Sequence, residues 1–181
     1  MALIVQKYGG TSVGTVSRIL EVARRVVKTA QLGNSLVVVL SAMGKTTDGL
    51  VKLAKEISPN PNKREMDMLL STGEQVSIAL LSMALQEMGQ PAISLTGAQV
   101  GIVTEAAHTR ARILRIDPSR LETQLKSGKV VVVAGFQGIA DAAGELEITT
   151  WGVAVPTQQQ LPSPQRCGPT GAKFIPTCPE F

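Results

Sequence analysis

Residues 35–48 are SLVVVLSAMGKTTD, a continuous apolar run followed at once by a polar segment rich in hydroxyl groups. The run 35–40 has the length of a strand and no polar face, which is typical of a parallel sheet covered on both sides. The polar segment then lies beyond the carboxyl end of that strand, where ligands bind in open α/β sheets. This stretch therefore predicts a parallel sheet, and it predicts that ligands bind at the edge formed by the carboxyl ends of the strands.

Apolar strands alternate with helical periodicity on both sides of this stretch. The other predicted strands are 2–6, 92–95, 112–116 and 129–134. The predicted helices are 13–30, 50–57, 63–89 (one or two helices, interrupted near Ser71-Thr72-Gly73) and 118–126, and the segments 97–111 and 135–138 are predicted to be loops. Strands that alternate with helices predict a three-layer α/β/α sandwich around a mostly parallel sheet.

The composition excludes several classes of function. The 181 residues are 44% hydrophobic but only 3% aromatic, which indicates a folded domain with an aliphatic core. The net charge of +4 comes without a basic block interleaved with aromatics, so no nucleic-acid partner is expected. No apolar run reaches the roughly 18 residues of a membrane span, and Met1–Val5 has no basic leader, so we expect a cytoplasmic protein without membrane contact. With one histidine and no cysteine before Cys167, no metal site is predicted.

The segment after the first predicted strand is KYGGTS, residues 7–12. Glycines let backbone N–H groups approach a phosphate closely, and the N-terminus of a following helix, capped by Thr11 or Ser12, adds partial positive charge. Lys7 is placed to neutralise charge on a transferring phosphoryl group. The alternative interpretation is an ordinary strand–turn–helix connection with a surface lysine.

Two further segments are candidate ligand sites. Residues 41–48 gather hydroxyls and a lysine at a strand end, a combination that suits a carboxylate or phosphate; the alternative is a capped turn in which Thr46 or Thr47 starts the next helix. Glu74 is a carboxylate in an otherwise apolar helical stretch and suits a substrate ammonium. The alternative for Glu74 is a capping box with Ser71, three residues earlier.

Three other polar residues are predicted to have no role in a site. Glu65 and Asp67 are interpreted as solvated helix surface. His108 lies in a polar stretch and is interpreted as a surface or hinge residue.

Five segments, in order along the chain, carry a resemblance to a known family. They are VQKYGGTSVG (5–14), SLVVVLSAMGKTTDGL (35–50), REMDMLLSTGEQVS (64–77), SLTGAQVGI (94–102) and VVAGFQGI (132–139). KYGGTS alone marks the wider amino-acid kinase family only loosely, whereas SAMGKTTD and REMDMLLSTGEQ make the match specific. Residues 1–150 resemble the N-terminal part of the catalytic domain of bacterial aspartate kinase.

The resemblance implies a reaction and a set of residue roles. The reaction is transfer of the γ-phosphoryl group of ATP, with Mg²⁺, to the side-chain carboxylate of L-aspartate, the first step toward lysine, threonine and methionine. The implied catalytic residues are Lys7 and Thr47; the implied ATP contacts are Lys7, Tyr8, Gly9, Gly10 and Ser12; the implied substrate contacts are Ser41, Thr47 and Glu74. Catalysis would rest on positioning and charge neutralisation, and the full-length enzyme would be a homo-oligomer.

The resemblance stops after Thr150. The family continues Leu-Gly-Arg-Gly-Gly-Ser-Asp-Thr, whereas this chain continues with Trp151 and a segment that holds six of its ten prolines and both cysteines. One added base before the Trp151 codon permits the family sequence in the new frame, so we infer a single-base deletion at that point. Residues 151–181 are therefore predicted to be an out-of-frame, disordered tail.

The predicted tail replaces the family's substrate-binding arginine and an aspartate that organises its active site. We therefore expect the 181-residue chain itself to lack kinase activity. The alternatives are another amino-acid kinase, such as acetylglutamate or glutamate kinase, a non-catalytic binding fragment, and a remnant that does not fold.

Overall fold

Two β-sheets form in the computed structural model, which describes residues 2–142, 144–151 and 173–176. In chain order the strands are β1 (Leu3–Tyr8), β2 (Ser35–Leu40), β3 (Ala92–Leu95), β4 (Ile102–Thr104), β5 (Ile113–Ile116), β6 (Val130–Ala134), β7 (Gln137–Ala142), β8 (Glu145–Thr150) and β9 (Lys173–Pro176). The main sheet has the order β3-β6-β2-β1-β9, and all of its strand pairs are parallel.

Helices cover both faces of the main sheet. They are α1 (Val16–Gln31), α2 (Thr46–Ile57), α3 (Lys63–Glu87), the short α4 (Gly97–Val100) and α5 (Ser119–Lys126). On one face α1 and α3 pack over the sheet, and α2 packs against α3; on the other face lie α4 and α5. The predicted three-layer α/β/α sandwich with a mostly parallel sheet is confirmed.

The strand β2 shows why the apolar runs form the middle layer. Successive side chains of a strand point to opposite faces. Leu36, Val38 and Leu40 join the core under α1 and α3, while Val37 joins the core on the opposite face. A strand that is apolar on both sides requires cover on both sides, so its composition is sufficient to predict its place in the sheet.

A second sheet, with the order β5-β4-β7-β8, differs from the prediction of loops at 97–111 and 135–138. In this sheet β4 and β7 are parallel, and the other neighbours are antiparallel. Every residue of β5 is exposed, and β8 is buried only at its C-terminal end. These strands lack a continuous apolar run, and the pairing of β4 with β7 joins segments far apart in the chain.

The helix α3 is continuous over 25 residues, so the predicted interruption near Ser71-Thr72-Gly73 is wrong. The Ser71 and Thr72 hydroxyls donate to carbonyls of the preceding turn (2.8 and 2.7 Å) and do not break the helix. A Cβ on Gly73 would lie 3.1 Å from the Ala42 Cβ, so this glycine allows a close approach to the loop after β2. By length and composition α3 is apolar enough to cross a membrane, but half of its most apolar stretch is buried in the protein, as in a core helix.

Most of the predicted disordered tail lies outside the described residues. Of the residues 151–181, the structure describes only Trp151 and β9. The strand β9 pairs in parallel with β1, with 173–176 opposite 4–7. At these four positions the backbone is a strand, which differs from the predicted disorder. The strand β9 therefore lies at the edge of the main sheet next to β1.

Candidate active site

The carboxyl ends of three adjacent strands meet at one edge of the main sheet. Tyr8 of β1 lies opposite Leu40 of β2, and Leu40 lies opposite Ala134 of β6. The Ser41 N–H donates to the Tyr8 carbonyl (3.2 Å), and the Gly135 N–H donates to the Leu40 carbonyl (2.9 Å). The segments that follow these strands therefore lie next to one another, as the sequence predicts.

The glycines of KYGGTS pack against the loop after β2. The Gly44 N–H donates to the Gly10 carbonyl (2.9 Å), and a Cβ on Gly10 would lie 2.7 Å from the Ala42 carbonyl oxygen. Gly10 is thus required for the contact between the two loops. Gly9 is exposed, with open space where a Cβ would stand, so the backbone beside it has room for a ligand.

The start of the following helix differs from the prediction. Gly10–Val13 forms a short 3-10 turn, and α1 begins only after it, at Val16. Its cap is Thr15, whose hydroxyl accepts from the N–H three residues further on (3.3 Å). The predicted helix cap at Thr11 or Ser12 is therefore wrong, because both residues lie inside the 3-10 turn that precedes α1.

Lys7 and Tyr8 end β1 and point in opposite directions. Tyr8 is buried and its hydroxyl donates to the Gln6 side chain (3.1 Å), so any contact between Tyr8 and ATP would come from its backbone. Lys7 is exposed, and its Nζ lies 5.4 Å from the centroid of the Phe136 ring, within reach of a cation–π interaction. Phe136 is a site residue that the sequence prediction missed, although it lies in the loop after a strongly predicted strand.

Ser41 and Thr47 flank the loop after β2. The Ser41 carbonyl accepts from the Ser77 hydroxyl of α3 (2.8 Å). The helix α2 begins at Thr46, as the alternative interpretation predicts, but no side chain caps its N-terminus. Thr47 lies in the first turn of this helix. The helix α3 thus supports the start of the loop that separates the two predicted substrate contacts.

Glu74 is the buried carboxylate of the site, with 4% of its surface exposed. Its Oε2 accepts from the Phe136 backbone N–H (3.0 Å) and from the Gln137 side-chain amide (3.3 Å). Its Oε1 is buried and has no hydrogen-bond partner among the residues that the structure describes. A buried polar atom without a partner is rare in folded proteins, and it marks a place where a ligand can donate.

Burial raises the pKa of Glu74 to about 7. Hydrogen bonds from the Phe136 backbone, the Gln137 side chain and the Gly135 backbone, and the nearby positive charge of Lys7, lower the pKa and offset only part of this effect. The alternative of a capping box with Ser71 is wrong, because both residues lie in the middle of α3. Glu74 is thus a buried, incompletely bonded carboxyl that titrates near neutral pH.

Of the three residues predicted to have no role in a site, two lie in environments that differ from the predicted ones. Glu65 is exposed, as predicted. Asp67 is completely buried and bonds to the ring of His108 and the N–H of Thr109, so the prediction of a solvated Asp67 is wrong. His108 is half-buried between two carboxylates and is not a free surface residue. The missed signal is spacing: Asp67 precedes Glu74 by about two helical turns and so shares its face.

A sequence model of the amino acid kinase family matches residues 2–150. The aspartokinase of Geobacillus stearothermophilus is 61% identical over 152 residues, and the aspartokinase of Bacillus sp. (strain MGA3) is 64% identical over 152 residues. Each match covers 84% of this chain but 37% and 36% of the relative, so the chain spans little more than a third of the length of these curated relatives.

A solved structure gives the same similarity. The crystal structure of aspartate kinase from Synechocystis is 68% identical, with a TM-score of 0.69, over 83% of this chain and 24% of that chain. The resemblance to bacterial aspartate kinase that the five sequence segments predict is confirmed.

Proposed function

The chain belongs to the amino acid kinase family, and on that basis we propose that it supplies part of the active site of an aspartate kinase. The proposed reaction is transfer of the γ-phosphoryl group of ATP to the side-chain carboxylate of L-aspartate, giving 4-phospho-L-aspartate. Curated relatives that are 61% and 64% identical are aspartokinases, which favours aspartate over the substrate of another amino-acid kinase. The observation that carries the proposal is the buried Oε1 of Glu74, which has no hydrogen-bond partner in the described part of the chain. The charge of Lys7 lowers the pKa of this carboxyl group, so the two predicted site residues lie near each other.

Glu74 is proposed to bind the amino group of aspartate. Phe136 and Gln137 hold its Oε2, so the carboxylate is fixed in place while its Oε1 is left for a ligand. A substrate ammonium that donates to Oε1 would favour the ionised carboxylate, which burial otherwise disfavours. Aspartate binding would therefore be coupled to loss of a proton from Glu74 near neutral pH.

Lys7 is proposed to neutralise the charge that moves during phosphoryl transfer. Its ammonium lies at the carboxyl end of β1, against the Phe136 ring. In phosphoryl transfer the charge spreads over the oxygens of the moving group, so a positioned cation lowers the barrier without a covalent intermediate. Ser41 and Thr47, in and after the adjacent loop, are proposed to contact aspartate.

The described residues fit ATP better than they fit a directly bound metal ion. Gly9 is exposed beside open space, and we propose that the backbone of Gly9, Gly10 and Ser12 lines the ATP phosphates. Within residues 2–142, 144–151 and 173–176, no group of three or more His, Cys, Asp or Glu side chains could hold a metal ion. Mg²⁺ would therefore be bound by the phosphates of ATP and not by these side chains.

Isothermal titration calorimetry on the purified 181-residue chain tests the role of Glu74. L-Aspartate is compared with succinate, which has both carboxylates but no amino group. We expect aspartate to bind roughly 10- to 100-fold more tightly, since a hydrogen bond to a charged group contributes about 1.5–3 kcal/mol. Glu74→Gln should remove this preference, whereas Glu87→Gln, an exposed glutamate at the end of the same helix, should retain it.

Equal affinity of the wild-type chain for aspartate and succinate would contradict the proposed role of Glu74. Turnover is a separate measurement. The 181-residue chain should not phosphorylate aspartate, because its segment after Thr150 differs from the sequence expected of the family. ATP- and aspartate-dependent activity of the 181-residue chain would refute the prediction that the segment after Thr150 is required.

A further inference from the structure

Asp67 joins three separate parts of the chain at one buried carboxylate. It lies on α3 and has no exposed surface. Both of its oxygens accept from the Thr109 backbone N–H (3.1 and 3.0 Å), and one also accepts from the Thr150 hydroxyl. Its second oxygen lies 2.9 Å from the Nδ1 of His108. The helix α3, the segment between β4 and β5, and the end of β8 therefore meet at Asp67.

Thr109 adopts a strained backbone at this junction. Its φ is 65°, the left-handed region, and among the described residues it is the only one other than glycine with a positive φ. A β-branched residue in this region is a genuine outlier that persists only where the surrounding structure enforces it. The two bonds from its N–H to Asp67 are the contacts that hold this conformation. Strain of this kind is concentrated at functional sites.

Both ring nitrogens of His108 face a carboxylate. Nδ1 lies 2.9 Å from Asp67 Oδ2, and Nε2 lies 2.9 Å from Glu147 Oε2 on β8. The Arg64 Nε of α3 lies 3.5 Å from the other oxygen of Glu147. His108 thus bridges α3 and the β7–β8 hairpin, and Arg64 of α3 makes a second contact to the same carboxylate of the hairpin.

The same hairpin end also holds Glu74. Gln137 of β7 lies opposite Thr150 of β8 in the antiparallel register. The Gln137 amide donates to the Ser71 carbonyl (3.0 Å) and to Glu74 Oε2 (3.3 Å), and the Thr150 hydroxyl donates to Asp67. The hairpin is therefore attached to α3 at two points about two helical turns apart. One point contains His108, and the other contains the carboxylate of the candidate site.

We propose that His108 is a positioning residue for Glu74. By bridging Asp67 and Glu147 it fixes the β7–β8 hairpin on α3, and this keeps the Phe136 N–H and the Gln137 amide on Glu74 Oε2 while Oε1 faces the ligand. The consequence for substrate binding rests on the proposed function, in which Glu74 binds the aspartate ammonium. The consequence for the Phe136 hydrogen bond does not, and it can be measured without ligand.

Amide hydrogen exchange followed by NMR on the ligand-free 181-residue chain tests the proposal. The Phe136 N–H reports the bond to Glu74, and the Val130 N–H, which donates to the Pro91 carbonyl (2.9 Å) at the start of β6, is the internal control. In His108→Ala and in Glu147→Gln we expect Phe136 to exchange roughly tenfold faster relative to Val130 than in the wild type. Glu145→Gln, an exposed residue on the same strand, should leave the ratio unchanged.

A general loss of stability would accelerate Phe136 and Val130 together, and a constant ratio in both variants would overturn the proposal. Glu147→Gln keeps the test valid if His108→Ala fails to fold, because Glu147 is partly exposed and the substitution preserves its shape. In the variants with a changed ratio, the preference for aspartate over succinate should fall. A wild-type chain without that preference but with the expected exchange ratios would refute the proposed function and leave the positioning role supported.

Discussion

Asp67 and Glu74 lie about two turns apart on α3 and are both buried, yet their surroundings differ. Asp67 is bonded to a backbone N–H, a hydroxyl and a histidine ring. Glu74 has two donors on one oxygen and none among the described residues on the other. The two carboxyl groups are both buried but differ in hydrogen bonding. This difference separates a group that joins elements of the fold from one that is open to a ligand.

An unsatisfied buried carboxyl destabilises the folded chain, so it is expected where a ligand completes its bonding. Glu74 fits this expectation, since its burial raises its pKa to about 7 and one oxygen is left without a partner in the described part of the chain. Asp67 is instead expected to stabilise the folded chain, because its removal would leave several hydrogen-bond donors without an acceptor.

The largest expected effect is on stability, in Asp67→Ala. The substitution leaves the Thr109 N–H, the Thr150 hydroxyl and the His108 ring without their shared acceptor in a buried position. We expect the free energy of unfolding to fall by about 4 kcal/mol, the range seen when one member of a buried, bonded charge group is removed. Urea denaturation followed by circular dichroism measures this loss.

Glu65→Ala is the matched control for that experiment, because Glu65 lies two residues away on the same helix and is exposed. It should change stability by less than about 1 kcal/mol, the usual range for a surface ion pair. Similar losses in the two variants would mean that Asp67 is no more important to the fold than a solvated residue, and the contrast with Glu74 would disappear.

The second effect is the pH dependence of stability that Glu74 contributes. Its pKa is about 7 in the folded chain against 4.5 for a solvated glutamate, so between these pH values the folded state holds a proton that the unfolded state has lost. Stability from this group therefore falls as the pH rises from about 4.5 to about 7 and is constant above that range. The shift of about 2.5 (7 minus 4.5) corresponds to about 3 kcal/mol.

Comparison with Glu74→Gln isolates this contribution, because other carboxyl groups titrate equally in both chains. The difference in unfolding free energy, wild type minus Glu74→Gln, should decrease by about 3 kcal/mol between about pH 4.5 and about pH 8. A difference that stays constant with pH would show that Glu74 is as fully hydrogen-bonded as Asp67. The Glu74 oxygen without a partner among the described residues would then no longer indicate a ligand site.

The main sheet and the site edge could be predicted from sequence because their signals are local. The runs 35–40 and 129–134 are apolar on both faces, and this alone places them in a covered parallel sheet. Glycines and hydroxyls that follow such strands then lie at one edge, where the structure brings together the loops after β1, β2 and β6. Glu74 could also be predicted as a candidate site residue, because it is a charged residue in an otherwise apolar helical stretch.

The β7–β8 hairpin and the Asp67–His108 junction could not be predicted in the same way. Their bonds join residues about forty to eighty positions apart, and no local pattern indicates which loop will reach α3. Asp67 looks like any acidic residue in the first turns of a helix until the partners from 105–112 and β8 are in place. The role of the Phe136 ring could not be predicted from its own loop, because the ring faces Lys7 on β1, far away in the sequence.

The smallest expected effect comes from Phe136→Leu, which separates the two contacts that this residue makes. Its backbone N–H donates to Glu74, and its ring faces the Lys7 ammonium at 5.4 Å. Leucine retains the N–H and removes the ring, so stability should fall by only about 1 kcal/mol, as expected for a partly exposed cation–π pair.

The same variant should keep the preference for aspartate over succinate in calorimetry, because Glu74 is oriented by a backbone bond that leucine preserves. Loss of that preference would mean that the ring, and not the backbone, sets the position of Glu74. The two carboxyl groups of α3 would then also differ in what holds them in position. Asp67 is held by backbone and side-chain donors from elements far apart in the chain. Glu74 would depend instead on the packing of one exposed aromatic side chain.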